Sequence, residues 1–347
     1  MYLILSLDGG GIRGILTARI LERLEAEVPF LHKVRLFAGT STGGILALAL
    51  AKGFSPTEIV KLYEKFGEQI FGKRDWIDKI THLDELTRAD FSHEGLRAAL
   101  DTVFGQLETL GDLPKNVVIP TFDLDNQDEI SKSAATRAYK ARYWKPKFMH
   151  NFDGVGNDKA VRVISAALRT SSAPTYFPSF EGYVDGGVVD NNPAMSALAK
   201  AVKHGAWIGR DASLLRRLKS YMLTLDTYQA KDFVTEIDLQ FDGQAKLLSV
   251  GTGFNPHYIE GKEHDYGYRQ WLTGNRLLNM LFDGMIGPPD YMARQFLDRN
   301  YRRINPVLHE VIDLADYERI PELLEVADNL NLDKEIGWLQ GCLSASS

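Results

Sequence analysis

Two glycine-pinned turns within the first forty-odd residues constrain this chain more than anything else in it. Each follows an apolar run of strand length, and each opens a helical pattern. The first, Asp8-Gly9-Gly10-Gly11-Ile12-Arg13-Gly14, leaves the run Met1–Leu7 and leads into Ile15–Val28, where Ile20, Leu21, Leu24 and Val28 recur at helical spacing. The second, Gly39-Thr40-Ser41-Thr42-Gly43, leaves Val34–Ala38 and leads into Thr42–Lys52, rich in Leu and small residues as a packed helix is. Such alternation of strands with helices predicts a mainly parallel sheet flanked by helices.

In the second turn Ser41 stands at the point of reversal. The glycines at 39 and 43 allow a tight turn without a Cβ clash, so the hydroxyl can stand clear of the sheet edge. The amides and positive dipole end of the following helix favour an anion forming there, as in acyl transfer. An ordinary glycine-rich turn also fits G-x-S-x-G. In the first turn three consecutive glycines bare their N–H groups, a cradle for an oxyanion or for a phosphate. A dinucleotide pattern threads through Gly9, Gly11 and Gly14, but the second strand ends in the serine turn and not in a ribose-binding acid, and no G-K-[ST] follows as in a P-loop. A serine nucleophile needs a base, and Asp185 is the candidate. It lies in Tyr183-Val184-Asp185-Gly186-Gly187-Val188-Val189, a β-rich segment broken by two glycines, although a plain Asp-Gly turn is the commoner meaning of such letters.

Taken together and in this order, DGGGIRG, GTSTG and DGG resemble the patatin-like phospholipases, a family that includes the cytosolic phospholipase A catalytic domains. Ser172–Pro178 (SAPTYFP), Asp190–Pro193 (DNNP), Leu248–Gly253 (LSVGTG) and Tyr301–Pro306 (YRRINP) are also similar to family segments, so the likeness runs from Met1 to about Pro306. It implies a three-layer α/β/α sandwich and a Ser-Asp dyad in place of a triad. Ser41 would attack the ester carbonyl of a phospholipid or galactolipid. Asp185 would take its proton and later activate the water that frees the fatty acid. The amides of Gly10 and Gly11, with those of Gly9 and Thr42, would hold the oxyanion. Arg13 would face a head-group phosphate, or brace the loop by ion pairing. The whole chain, 1–347, reads as a single catalytic domain in which 205–243 departs from the family pattern, an insertion suited to a lid, a dimer contact or a regulatory pocket.

Composition narrows the partners. A net charge of -6 argues against nucleic acid, which asks for a basic face. The single cysteine, Cys342, excludes an internal disulfide and fits a reducing compartment. The N-terminal apolar run is too short for a signal peptide and feeds straight into the glycine loop, and no stretch reaches the ~20 apolar residues of a membrane-spanning helix. A cytoplasmic protein that meets lipid peripherally is expected. Residues 137–147 (RAYKARYWKPK) interleave cations and rings in a manner suited to an anionic membrane surface, or to a solvated hairpin.

Further elements follow from local signals. Ser55-Pro56-Thr57-Glu58 is a capping box and predicts a helix to Phe71. Residues 72–91 read as an irregular connection, and Ser92 caps a helix to Phe104. Val117–Leu124 is a strand whose Pro120 places it at an edge or a bulge. Asp158–Arg169 and Pro193–Lys203 read as helices, and Lys246–Val250 as a core strand. Tyr266–Pro289 is an apolar helix for core packing or an acyl channel. Tyr301–Pro306 reads as an edge strand and Tyr317–Asn329 as a covering helix, followed by a mobile end.

Of the histidines downstream of Asp185, namely His204, His257, His264 and His309, none has a setting that singles it out, which leaves a Ser-His-Asp esterase as the alternative hydrolase. No histidine pair has metal-ligand spacing, and Asp123, Asp125 and Asp128 lack the Gly and Glu of an EF-hand, so hydrolysis without metal, calcium included, is expected. Two other readings stand beside it: an effector held inactive until a signal or oligomerisation opens it, and a phosphate-binding module without hydrolase chemistry. A serine-directed fluorophosphonate separates the chemistries. Covalent labelling of Ser41, lost in Ser41→Ala, is the expected result, whereas nucleotide binding with Ser41 unmodified overturns it.

Overall fold

The computed structural model describes residues 1–72, 89–126, 142–154, 156–207, 243–259, 266–267, 270–271 and 273–344. The poorly matching 205–243 segment therefore lies almost wholly outside the described residues, as do most of 72–91 and residues 137–141 of the basic, aromatic run. In chain order the elements are β1 (Tyr2–Leu7), α1 (Gly14–Glu27), β2 (Val34–Gly39), α2 (Thr42–Lys52), α3 (Pro56–Phe71), α4 (His93–Val103), β3 (Asn116–Asp123), β4 (Lys145–His150), α5 (Val163–Ser171), β5 (Tyr183–Asp185), α6 (Gly187–Asp190), α7 (Ala194–Lys203), β6 (Ala206–Trp207), β7 (Gly243–Val250), α8 (Arg276–Gly284), α9 (Gly287–Leu297), β8 (Tyr301–Ile304), α10 (Ile320–Asn329) and α11 (Asp333–Ser344).

The sheet runs β4-β3-β2-β1-β7-β6, with β5 added to β3 and β8 to β7. Parallel pairing joins β1 to β2 and β7, β2 to β3, and β7 to β6 and β8. Antiparallel pairing brings in β4 and β5. Because β1 is covered on both faces, every one of its residues is buried, which is why it reads as an unbroken apolar run instead of an alternation. Leu3, Leu5 and Leu7 face α1, α2 and α5, whereas Tyr2 and Ile4 face α7 and α9. The result is a three-layer α/β/α arrangement on a mixed, mainly parallel sheet.

Local chemistry explains most boundaries. Ser55 and Glu58 form the reciprocal capping box at the start of α3. Gly53 ends α2 in the left-handed region at φ 111°.

Several elements differ from expectation. Pro120 lies inside β3, not at an edge, at the point where one neighbour gives way to another. β2 pairs up to Val118 and β5 begins at Thr121, so the missing proline N–H falls between partners. The helix expected from Asp158 starts at Val163, since Arg162 forms an isolated bridge with Thr109. The β-rich run after Asp185 turns helical at Gly187. The apolar segment near 276–289 is only partly buried. Leu277, Met280 and Leu281 are exposed, and Phe282 is the buried member of α8. A further helix, α11, follows α10, and the last few residues, where mobility is expected, fall at 345–347 outside the described residues. In the basic, aromatic run, Arg142 pairs with Asp125, Tyr143 and Trp144 are exposed, and Lys145–Lys147 enter β4.

One ion pair joins the end of β1 to β8 across β7. The Arg303 guanidinium, on β8, donates to Asp8 Oδ1 at 2.7 Å and to Ser249 Oγ at 2.8 Å, and makes a second contact to Asp8 Oδ2. Both side chains are at most 5% exposed. Removing one partner strands a buried charge, so Arg303→Leu is expected to lower unfolding free energy by about 3 kcal/mol or more, read by urea denaturation.

Candidate active site

The serine turn is strained and held from several sides. Ser41 adopts φ 54° and ψ −125°, a region that side chains other than glycine avoid. Its N–H donates to Thr170 Oγ1 at 3.0 Å, and that hydroxyl donates to the Pro120 carbonyl at 2.5 Å. Thr40 is fixed by its N–H to the Leu7 carbonyl and its hydroxyl to the Asp190 carbonyl. A Cβ on Gly43 would lie 2.3 Å from the Leu7 oxygen, so α2 can pack this close to the end of β1 only with glycine there.

Asp185 arrives by a different route. It ends the three-residue strand β5, opposite Thr121, and its N–H donates to the Ser172 carbonyl at 3.0 Å. The carboxylate is 1% exposed, accepts the Gly187 N–H at 2.7 Å, and lines the same cavity as Ser41. Burial pushes its pKa up to about 7, against the opposing pull of the Ser41 side chain and the Gly187 amide. Ser41 itself is 8% exposed.

Gly10 and Gly11 line the same cavity as Ser41, Thr42 and Asp185. Gly11 has φ 57°, and the next N–H, of Ile12, is tied to the Leu314 carbonyl at 2.8 Å, which turns the loop inward. Among the described residues the amides of Gly10 and Gly11 have no acceptor. Gly9 departs from expectation, because its N–H already donates to the Asn191 carbonyl at 3.0 Å and its carbonyl accepts from Thr252 Oγ1 at 2.9 Å. Thr42 heads α2, where a first-turn amide has no intrahelical partner, and its hydroxyl is hydrogen-bonded to Tyr63. Arg13 is buried and braces the loop, though through carbonyls and not through an ion pair. It donates to Gly10 O at 3.3 Å and Gly253 O at 3.4 Å.

Behind these groups lies an apolar cavity enclosing about 120 Å³ between α2, α3 and α4. The segment after α5 adds Ala173, Tyr176 and Phe177 to its wall, and α8 adds Phe282. No histidine lines it among the described residues. His204 stacks on Phe152, His257 pairs with Asp283, and His264 falls outside the described residues. Sequence reading had quoted the segments holding Asn191, Thr252 and Arg303 without finding their roles. Thr170 and Tyr63 carried no signal at all, since each acts through a contact with a distant turn.

Known proteins resemble this chain over most of its length. The model of the family "Patatin-like phospholipase" matches residues 5–198. A cGAMP-activated phospholipase of Escherichia coli (strain TW11681) is 32% identical over 355 residues, covering 95% of this chain and 83% of its own. Another protein of that description, from Pseudomonas aeruginosa (strain BWHPSA011 / Pa011), is 27% identical over 311 residues, 88% of this chain and 78% of its own. Protein teg of Priestia megaterium is 33% identical over 338 residues, 95% of each. The chain belongs to the patatin-like phospholipase family, and that membership implies lipid acyl hydrolase activity.

The raised pKa of Asp185 has a thermodynamic sign. Folded, the carboxyl keeps its proton up to about pH 7, against an ordinary value of 3.8, so the native state binds more protons across that window. Stability from this group is full below about pH 4 and falls as pH rises towards 7. Asp185→Asn removes the effect. Its stability relative to wild type is expected to improve from pH 4.5 to 8 by on the order of 3 kcal/mol, as measured by denaturant midpoints.

Proposed function

We propose that the protein hydrolyses fatty-acyl esters of phospholipids, or of galactolipids, with Ser41 and Asp185 as a catalytic dyad. The observation that carries this reading is the convergence of Ser41 and the buried Asp185 carboxyl on the wall of one apolar cavity, beside the Gly10 and Gly11 amides, with burial raising the Asp185 pKa to about 7. Ser41 Oγ adds to the ester carbonyl carbon while its proton passes to Asp185. The oxyanion accepts hydrogen bonds from Gly10 and Gly11, with Thr42 at the head of α2 as a third donor. Collapse expels the alcohol, which takes the proton back, and leaves the acyl group on Ser41. Asp185 then draws a proton from water, whose oxygen attacks the acyl carbon and releases the fatty acid.

Backbone amides do the charge stabilisation that a metal does elsewhere, so calcium is not required. Arg13 holds the loop in place through the Gly10 and Gly253 carbonyls while lining the same cavity as Ser41. The lone buried Cys342 fits a reducing, cytoplasmic setting, with lipid met peripherally at a membrane surface. Among the described residues no helix is long and apolar enough to cross a membrane. A signal-activated form of the same activity is favoured by the two relatives described as cGAMP-activated phospholipases.

Fatty-acid release from phospholipid vesicles is the test. Ser41→Ala and Asp185→Ala are each expected to reduce it by at least about a hundredfold, and a chelator of calcium to leave it unchanged. Undiminished release by Asp185→Ala defeats the dyad. A basal rate near zero that rises on adding cGAMP supports the signal-activated form, and an unchanged rate removes it.

A further inference from the structure

The cavity that Ser41 lines runs along α2 to buried wall residues contributed by three helices. On α2 its wall runs from Ser41 through Ile45 to Ala49, along the helix axis from position 41 to 49, a depth of about 12 Å at 1.5 Å per residue. The Ser41 end is marked by Tyr63 on α3, which is hydrogen-bonded to Thr42 and lines the cavity with it. The far end is where α2 and α4 finish together. Lys52 reaches Glu108 at 2.6 Å and lies over the Phe104 ring, and α3 sets out from the same corner after the Gly53 turn. Ala49, Ile59 and Val103 line that end, all of them less than 9% exposed.

We propose that this cavity measures the acyl chain, with Ala49 and Val103 as the floor residues that set the longest chain accepted fully extended. The inference rests on the hydrolase reading above and adds to it a substrate class, esters of medium-length acyl groups. An extended chain advances about 1.3 Å per carbon–carbon bond, so roughly nine or ten carbons span the distance from Ser41 to the floor. Up to that length each added methylene is buried against Ile45, Leu46 and Leu100 and raises reactivity about fourfold. Beyond it the next methylene meets the close-packed core, and reactivity falls.

Alkyl fluorophosphonates from butyl to hexadecyl test this without turnover. Ser41 Oγ attacks phosphorus, an O–P bond forms, fluoride leaves, and the serine proton goes to Asp185. The labelling rate constant is expected to peak near decyl and to drop about tenfold or more at hexadecyl. Ala49→Leu should move the peak about two to four carbons shorter, and Val103→Ala about one or two longer. Val103→Ala, the milder change, decides the matter if Ala49→Leu does not fold. Labelling confined to Ser41 with a rate that is flat from octyl to hexadecyl, or with a peak that neither variant moves, overturns the ruler and leaves the hydrolase reading standing. No labelling at any chain length overturns the hydrolase reading, and the ruler with it.

Discussion

A carboxylate with almost no contact with water, opposed by one backbone amide and one serine hydroxyl, is the interaction around which the rest of this structure is arranged. Burial alone drives Asp185 towards its protonated form. The Gly187 amide and Ser41 draw it back, and the balance falls near neutrality. A base that titrates near the operating pH accepts and returns a proton with little driving force either way, which suits the two proton transfers of the proposed acyl chemistry. The short strand β5, antiparallel to β3, delivers that carboxylate. It pairs with β3 where β2 has stopped, and Pro120, with no N–H to donate, sits at the changeover.

Strain at Ser41 is the second constraint. A positive φ in a residue with a side chain persists only where the surroundings over-determine it. Here Thr170, Thr40 and the close approach of Gly43 to β1 supply that determination. The glycine cradle is held by the same logic from the opposite side: Arg13 beneath it, Asn191 and Thr252 on Gly9, and the Asp8–Arg303 pair at its root. Turn and cradle are thus each anchored to elements far away in sequence, and they lie side by side because they leave the ends of the paired strands β1 and β2.

Much of this was legible in the letters. The apolar runs before each glycine turn, the capping box at Ser55 and the glycine after Lys52 are local signals whose physics acts within a few residues. The elements they announce stand close to where they were expected. The failures have a common cause. Pro120 looked like an edge residue because a change of strand partner cannot be read from one strand. Val188 and Val189 looked like strand because β-branched residues favour it, yet they follow a turn already committed to helix at Gly187. Leu277, Met280 and Leu281 looked like core because apolarity does not say which face a neighbour will cover.

By itself, then, the sequence determined which residue types stand at which turns: a serine where a strand reverses into a helix, bare amides after the first strand, and an acid followed by glycines. Those follow from local sterics and periodicity, which operate over a few residues. Tertiary structure decided which of these groups meet, since Ser41 and Asp185 are separated by more than a hundred positions and approach only through β3 and β5. It also decided that Gly9 spends its amide on Asn191, that Arg13 braces carbonyls, and that Asp185 is dry enough to titrate near neutral pH. Burial is a property of everything packed around a group, and no short stretch of chain contains it.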